Sequence, residues 1–496
     1  MLLLNLLINY GEREKILDND VKSFQHTLKL SNRFFVNHTL LKLIHSVYSR
    51  VKYVAIVLLL AQIVLIACSR KVAPTFEKDV AGIIYSKCTK CHNPNGVAPF
   101  SLTSFDNIKK RAKTIAFVTK NRIMPPWPAD YTYTHFVGEQ VLSDEEIQIL
   151  QDWVQAGCLP GDLTNAPDAP VYQFKSFLGK PDLVLTYSDT MFLKGDYLDR
   201  FYLMKFPYQI AQDTIVKAIE FVPGNTSVVH HVNGHIIQYD DGMKKDIFSG
   251  KRVISSDSIE ADKVYKELDV ANDDGSYPVL TQSAVNYLPG VMPTNYPEGL
   301  SGFKLKKQGA FLFKDIHYGP TSRDTFDYSR INVFFAKKMP ARLTRELQMG
   351  TLGITDIEPP LVIPPNQIKR FITKARINKD ISILTINPHM HKLGKSFWAY
   401  ALNPSGDTIP LIKIKQWDFN WQFFYTFKKM VKIPAGSTII VEGVFDNTIH
   451  NKNNPFHPPR EIAERAGSMR ASDEMFQFII TLMDYMPGDE MISLEP

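Results

Sequence analysis

Cysteine is scarce in this sequence. Only four of its 496 residues are cysteines (Cys68, Cys88, Cys91 and Cys158), and none follows residue 158. A disulfide framework is therefore excluded over the larger part of the chain. Long apolar runs are lacking as well, because the run at residues 53–67 is shorter than the roughly 20 apolar residues that a bilayer span needs. A multi-span membrane protein is excluded on that ground.

An excess of one charge is also missing. The chain has 57 Lys and Arg against 51 Asp and Glu, and most of the basic excess lies within residues 1–67. A nucleic-acid binder needs a concentrated basic footprint, so we expect no nucleic-acid partner. The composition, with 44% hydrophobic and 22% charged residues, is that of an ordinary globular protein. At about 100–200 residues per domain, the length predicts about three domains.

The N-terminal extension ends in a candidate export signal. The apolar run at residues 53–67 follows Arg50 and Lys52 and precedes Cys68. A basic flank, a short apolar run and a small residue before the cleavage point are typical of a secretory signal. The Leu-Ile-Ala-Cys sequence that ends at Cys68 resembles the lipobox of bacterial lipoproteins, and a single membrane anchor is the alternative. Both interpretations predict an exported, membrane-anchored protein, on the periplasmic side or at the cell surface.

Residues 76–165 contain a CxxCH motif, formed by Cys88, Cys91 and His92. Two thiols at this spacing can form thioether bonds to haem, and the histidine supplies an axial nitrogen. Met124, in the sequence RIMPPWP, is the candidate for the second axial ligand. The segment resembles a class I cytochrome c domain, which implies an all-α domain that carries covalent haem c.

Two other chemistries use paired cysteines. A thioredoxin-like redox pair is expected in a βαβ context, which the pattern around these cysteines lacks. A zinc site needs further ligands, and only His135 is within range. Both alternatives are weaker than haem attachment. Near the end of the segment, Ser143 with Glu146 three residues later predicts a capping box and a helix.

From residue 171 onward the pattern changes to short β-rich runs separated by turn-prone clusters such as VPGN, NDDG and IPAG. Such spacing is typical of sandwich or barrel folds. We predict two all-β sandwich domains, at residues 171–339 and 340–496. The predicted fold class is therefore multidomain, with an all-α cytochrome c domain followed by two β-sandwiches.

Histidines recur at strand positions of this β region. His389 and His391 are two residues apart, so both imidazoles lie on one strand face and can reach one ion. His230 and His231 are adjacent and can share a metal only if a bulge or strong twist redirects one of them. Strand periodicity alone would pair His231 with His235 instead.

Four motifs in order, HHVNGH, IHYGP, HMHKLGK and SDEMFQF, resemble the copper type II, ascorbate-dependent monooxygenases. That family includes the peptide-amidating hydroxylase and dopamine β-monooxygenase. The resemblance covers roughly residues 180–490 and implies two jelly-roll sandwiches that flank a cleft, with one copper on each. It assigns an electron-transfer copper to His230, His231 and His317, and an oxygen-binding catalytic copper to His389, His391 and Met475.

The resemblance implies an exported copper monooxygenase that hydroxylates a C–H bond of a small substrate with O2. Ascorbate or a redox protein would supply electrons, and the fused haem is a hypothetical relay to the first copper. The alternative is a non-catalytic haem–copper electron-transfer or copper-handling protein. A separate thioether ligand, Met475, favours catalysis, because a carrier needs only one type of copper site.

Three positions depart from the peptide-amidating branch. That branch holds its substrate carboxylate with an arginine where this chain has Asn387, and it has Asn and Tyr where this chain has Gln477 and Ile479. Without the arginine clamp, the carboxylate of a glycine-extended peptide has no bidentate partner. We therefore do not predict peptide amidation, and the substrate stays open.

Overall fold

The structure is a computed structural model that describes residues 46–48, 50–53, 56, 72–94, 96–172, 176–187, 190–255, 261–278, 280–289, 291–464 and 472–495. The chain divides into two compact units, Met1–Val72 and Ala73–Pro496. Most of the apolar run at 53–67, and Cys68 itself, lie outside the described residues, so export and anchoring stay predictions. None of the helices in the described ranges has the length and apolarity that a bilayer span requires.

The second unit is mainly β. The described strands are β1 Leu183–Thr186, β2 Met191–Leu193, β3 Arg200–Gln209, β4 Thr214–Val222, β5 Val229–Gln238, β6 Val253–Ser255, β7 Leu280–Tyr287, β8 Phe303–Leu305, β9 Gln308–Tyr318, β10 Thr325–Asp327, β11 Arg330–Phe335, β12 Arg345–Gly350, β13 Ile357–Glu358, β14 Val362–Ile363, β15 Ile368–Arg376, β16 Ile381–Met390, β17 Gly394–Leu402, β18 Thr408–Ile414, β19 Tyr425–Ile433, β20 Thr438–Asp446, β21 Ile462–Ala463 and β22 Phe476–Asp484.

Strands β1 to β11 form two larger antiparallel sheets and a hairpin. One sheet has the order β6-β3-β9-β5-β7, the other has the order β1-β11-β4-β8, and β2 pairs with β10. Aromatic and branched side chains from both sheets, including Phe206, Phe221, Phe313 and Ile331, form one buried cluster. Two sheets that bury a common apolar layer define a sandwich. We call strands β1 to β11 the first half of the β region.

Strands β12 to β22 form the second half, again with two larger sheets and one short pair. The sheets have the orders β12-β22-β16-β19 and β13-β15-β20-β17-β18, and β14 pairs with β21. Every second residue of β20 is buried, as expected for a strand with one face on a core. Phe371, Phe397, Phe445 and Phe476 belong to the buried cluster between these sheets.

The helices that the structure describes in the second unit are short. They are a π-helical turn at Phe76–Val80, α1 Ala81–Lys87, α2 Phe105–Lys110, α3 Ala112–Lys120, α4 Asp144–Gln155 and α5 Ala261–Glu267, with 3-10 turns at Leu163–Asn165 and Asp489–Met491. The predicted capping box of α4 is confirmed. Ser143 Oγ accepts from the Glu146 amide at 3.0 Å, and the Glu146 carboxylate accepts from the Ser143 amide at 2.8 Å.

The predicted fold class is wrong, because the described residues of 76–165 do not form a separate all-α cytochrome c domain and the unit is mainly β. Between α3 and α4, residues 125–137 form a non-helical segment with a turn at 131–133, which we call the strap. Its residues Ala129 and Phe136 bridge to Ile414 and Phe427 and are buried in the core of the second half. The short helices are therefore part of a β-rich unit. Helical periodicity detected them but carries no information about which core buries the residues between them.

Candidate functional site

A β-bulge brings the first group of histidines together. His230 and His231 lie on β5, and His317 lies near the end of the neighbouring strand β9. Val229 is opposite Tyr318 and His231 is opposite His317, so the register shifts at His230. One extra residue on a strand redirects its side chain. The condition for two adjacent histidines to share an ion is thus met in the structure.

We call His230, His231 and His317 the three-histidine centre. Their ligand nitrogens all lie within 4.8 Å of one another. Nδ1 of His231 is 3.2 Å from Nδ1 of His230 and 3.4 Å from Nδ1 of His317. Three converging imidazoles are a donor set that suits copper, so these residues fit the ion that the sequence predicts for them.

Two neighbours orient His317. Its Nε2 is 2.7 Å from Oδ1 of Asp199, and its ring stacks on Phe201 with 4.3 Å between centroids. A carboxylate at one ring nitrogen fixes the other nitrogen toward a metal. Sequence reasoning missed Asp199, because nothing in the local pattern shows that it reaches a histidine on a distant strand.

His235 does not belong to the convergent group that the described residues form. It lies further along β5, opposite Leu312, and lines a cavity together with His231. The periodicity that pairs His231 with His235 holds for a flat strand. The bulge at His230 changes which residues converge.

We call His389, His391 and Met475 the open centre. His389 lies on β16 opposite Gln477 of β22, His391 follows β16, and Met475 directly precedes β22. The two imidazole centroids are 5.0 Å apart, and Nδ1 of His391 is 2.9 Å from the Asp473 carbonyl oxygen. Two imidazoles and a soft thioether are a donor set that favours Cu(I).

A buried carboxylate supports the open centre from behind. Glu474 is 1% exposed and accepts from the backbone amides of His391 at 3.0 Å and Leu393 at 2.7 Å. Burial raises the pKa of Glu474 to about 8, although these backbone donors act in the opposite direction. The residue ties the turn after β16 to the start of β22. Sequence reasoning missed this role, although the acidic residue next to an apolar strand was a visible signal.

One cavity of about 760 Å³ joins the two halves of the β region. His231 and His235 line it on the side of the first half, and all three residues of the open centre line it on the other side. A volume of this size is typical of a small-molecule site. The structure therefore places residues of both predicted copper sites around one space.

The CxxCH motif follows the end of α1. The His92 amide donates to the Cys88 carbonyl at 3.0 Å, and Nδ1 of His92 is 3.0 Å from the Phe100 carbonyl oxygen. That contact leaves Nε2 as the ring nitrogen for a metal, and burial lowers the pKa of His92. Burial also raises the pKa of Cys88 to about 12, with a further contribution from Cys91. Two thiols beside an imidazole that its Nδ1 contact orients fit covalent haem.

Met124 lies in the loop after α3, where its amide donates to the Val118 carbonyl at 3.2 Å. Its side chain is 36% exposed. In the part of the chain that the structure describes, the ring of His92 contacts the Phe100 carbonyl oxygen and the Phe100 ring, and Met124 is not among these partners. The structure brings Cys88, Cys91 and His92 together, whereas Met124 as a haem ligand stays a prediction.

Comparison with known proteins finds a family similarity in part of the second half. Residues 351–456 match the copper type II ascorbate-dependent monooxygenase C-terminal domain. This family consists of copper-dependent monooxygenases, which are oxidoreductases that use O2 and ascorbate. The matched range contains His389 and His391 and ends before Met475. No curated protein matched the chain.

Solved structures give only distant similarity. A structure of PNGF-II in space group P21 aligns at 9% identity with a TM-score of 0.25 over 61% of this chain. The alignment spans 65% of that chain, less than two thirds of its length. A structure of the infectious bursal disease virus Gx strain aligns at 9% identity with a TM-score of 0.15, covering 63% of this chain and 73% of that one. Scores this low support no inference about function.

Proposed function

We propose that this protein is a copper-dependent monooxygenase that hydroxylates a C–H bond of a small substrate. The observation that carries the proposal is the shared cavity, which His231 lines from one half and His389, His391 and Met475 line from the other. The family match of residues 351–456 supports the same chemistry. In the reaction, one atom of O2 enters the product as a hydroxyl group and the other leaves as water, with two electrons and two protons consumed.

The residues divide this work between two donor sets. His230, His231 and His317 would hold one copper, and the open centre would hold the other. Copper supplies one-electron transfer and O2 activation when bound. Asp199 and Phe201 hold the His317 ring in place, and Glu474 fixes the backbone that carries His391.

Cys88 and Cys91 would hold haem c through thioether links, and His92 would hold its iron through a ring nitrogen. Haem supplies one-electron transfer when bound. The source of electrons would be ascorbate, as the family implies, or a redox protein. We also propose that the chain is exported and membrane-anchored, on the basis of the apolar run at 53–67 and Cys68.

The first test is metal content. The protein, produced with haem-maturation machinery, should contain two copper ions and one iron. The double variant His389→Ala/His391→Ala should retain the iron and one copper. His450→Ala/His457→Ala is the matched control, because both of these histidines are exposed, and it should retain both coppers.

Two outcomes would contradict the proposal. If the protein contained iron but no specifically bound copper, it would be a haem protein whose β-sandwich halves have a different function. Two coppers with O2 consumption but no hydroxylated product from any small-molecule panel would favour the non-catalytic electron-transfer protein. The lining of the cavity by the open centre is the reason that we favour catalysis.

A further inference from the structure

The loop after β12 carries an aliphatic residue in a strained backbone conformation. Leu352 has a φ of 57°, in the left-handed region, where a bulky side chain is an outlier. Leu352 also lines the cavity between the two halves, which none of the other described non-glycine residues with positive φ does. Strain of this kind persists only where surrounding contacts impose it, and it is concentrated at functional sites and ligand clamps.

The contacts that fix the start of this loop connect it to the open centre. The Thr351 amide donates to the Phe476 carbonyl oxygen at 2.8 Å, and the Phe476 amide donates to Oγ1 of Thr351 at 3.0 Å. Strands β12 and β22 are antiparallel, so the chain runs in opposite directions on the two sides of this pair. Leu352, which follows Thr351, therefore comes to the level of Met475, which precedes Phe476.

Further hydrogen bonds hold the loop on both sides of Leu352. The Thr351 carbonyl oxygen accepts from Nε2 of Gln477 at 2.6 Å and from Nε2 of Gln348 at 3.3 Å. On the other side, the Ile354 amide donates to the Gln348 carbonyl oxygen at 2.9 Å. These anchors impose the backbone conformation of Leu352 and make the loop a fixed part of the cavity wall.

The aliphatic side chains of this loop are exposed where the cavity opens. Leu352 and Ile354 both line the cavity, although they are 52% and 80% exposed. Met292, from the segment before β8, lines the same cavity and is 46% exposed. Large apolar side chains are usually buried, and several that are exposed around one space indicate a binding surface. The part of a ligand that contacts Leu352 and Ile354 therefore meets hydrocarbon.

We propose that Leu352 is a specificity-determining residue that, together with Ile354, contacts an uncharged hydrocarbon group of the substrate. This inference rests on the proposed function and adds the substrate class: a molecule with an alkyl or aromatic arm next to the carbon that reacts. Contact between that arm and the two side chains removes apolar surface from water, which is favourable. Because Leu352 lies at the level of Met475, an arm held there leaves the reacting carbon on the side of the open centre.

The test uses the straight-chain primary alcohols propanol, pentanol and heptanol. Heptanediol, with a hydroxyl at each end, is the polar counterpart of heptanol, and phenylpropanol carries an aromatic arm. Binding to the full chain without copper is measured by ligand-observed NMR titration, at up to about 10 mM because small ligands bind weakly. Partial burial of each methylene should tighten binding about twofold, so heptanol should bind at least about tenfold more tightly than propanol. Heptanediol should lose most of this gain, because its second hydroxyl would lie against apolar side chains.

Variants at one position then assign the preference. Asparagine tolerates the left-handed region, so Leu352→Asn should not lower the Tm. It should weaken heptanol binding about threefold to tenfold and leave propanol binding unchanged, whereas Leu352→Met should keep the preference. Tyr197→Asn is the matched control, because Tyr197 has a φ of 61°, is 72% exposed and is not among the described lining residues. It should change no affinity.

Equal affinities for propanol, heptanol and heptanediol, or no binding of any of them, would overturn the inference. So would a preference for heptanol that is unchanged in both Leu352→Asn and Ile354→Asn. Tighter binding of phenylpropanol than of heptanol would assign an aromatic arm and the reverse an alkyl arm, and each supports the proposal. Copper content is measured separately, so a failure to bind copper would defeat the proposed function without deciding the substrate class.

Discussion

The three-histidine centre and the open centre differ in their access to the cavity. In the three-histidine centre, only His231 lines that cavity. His317 is 8% exposed and lies next to Asp199 and Phe201. Of the second, both imidazoles and the thioether line it. A set of three imidazoles can hold an ion firmly, and in this centre two of the three are only partly buried. The open centre has a weaker sulfur ligand in place of a third imidazole, and it faces the cavity in which a substrate would fit.

The two halves of the β region also differ in how distant in sequence their core residues are from their strands. The core of the second half includes Ala129, Phe136 and Tyr296, which precede its first strand. In the strap, Trp127 contacts the rings of Phe423 and Tyr425 at 5.4 Å each. The Phe423 carbonyl in turn accepts from Asn387, two residues before His389. The strap is therefore packed against the wall of the open centre.

The largest expected effect separates the two centres directly. His389→Ala should reduce hydroxylation by at least about 1000-fold, because the metal that the reaction needs would be lost. His317→Ala should remove the other copper and leave the open centre able to bind Cu(I). Copper titration and product analysis check both variants, with His450→Ala as the control. Loss of both coppers in either variant would show that the centres are not independent.

The strap should matter to the second half more than to the first. Phe136 is fully buried, with ring contacts to Tyr425 at 4.9 Å and Phe427 at 5.2 Å. Phe136→Ala should lower the free energy of unfolding by about 3–5 kcal/mol, as large-to-small core changes do. Chemical denaturation measures this, and Phe117→Ala on α3, where Phe117 is 62% exposed, should change it little. A similar loss in both variants would contradict the docking of the strap.

A buried ion pair gives the second half a pH dependence. Burial would raise the pKa of Asp489, but hydrogen bonds from Arg342 and Ser382 outweigh it and lower that pKa to about 2. A carboxyl whose pKa falls on folding stabilises the protein above its unfolded value, and this stabilisation is lost as the pH falls from about 4 to about 2.

Asp489→Asn should therefore lower the free energy of unfolding by about 2 kcal/mol at neutral pH and flatten its decline below about pH 4. Denaturant titrations at several pH values measure both effects. The neighbouring Glu490→Gln is the matched control, because Glu490 is exposed. An unchanged pH profile in Asp489→Asn would contradict the assignment.

The smallest expected effect concerns the support of the three-histidine centre. Asp199→Asn should weaken copper binding there roughly tenfold, at the low end for such partners, because the Asp199 side chain is 53% exposed. The open centre should keep its affinity. Competition with a copper chelator measures both, and Asp241→Asn, which removes an exposed partner of Lys307, is the control. Equal weakening at both centres would remove the distinction between them.

The sequence predicted the local features well and their assembly less well. The capping box at Ser143 and the common strand face of His389 and His391 both follow from the spacing of residues that are close together in the sequence. From the sequence, a bulge at His230 could be named only as a requirement for a shared metal site. Whether it forms depends on how β5 pairs with β9. Glu474 and Asp199 were missed, because their partners are identified by contacts between distant segments.

The sequence by itself determined the donor chemistry: two thiols and an imidazole at fixed spacing, imidazole pairs on strands, and one thioether beside a strand. Only the tertiary structure decided that the helical segment belongs to a β-rich unit, because the partner that buries Phe136 lies nearly 300 residues later along the chain, at Phe427. It also decided that the amides at Gln348, Asn387 and Gln477 turn their nitrogens to the backbone. The acceptor for Asn387 is the Phe423 carbonyl and that for Gln477 is the Thr351 carbonyl, 36 and 126 residues away along the chain, so local pattern cannot encode these two orientations.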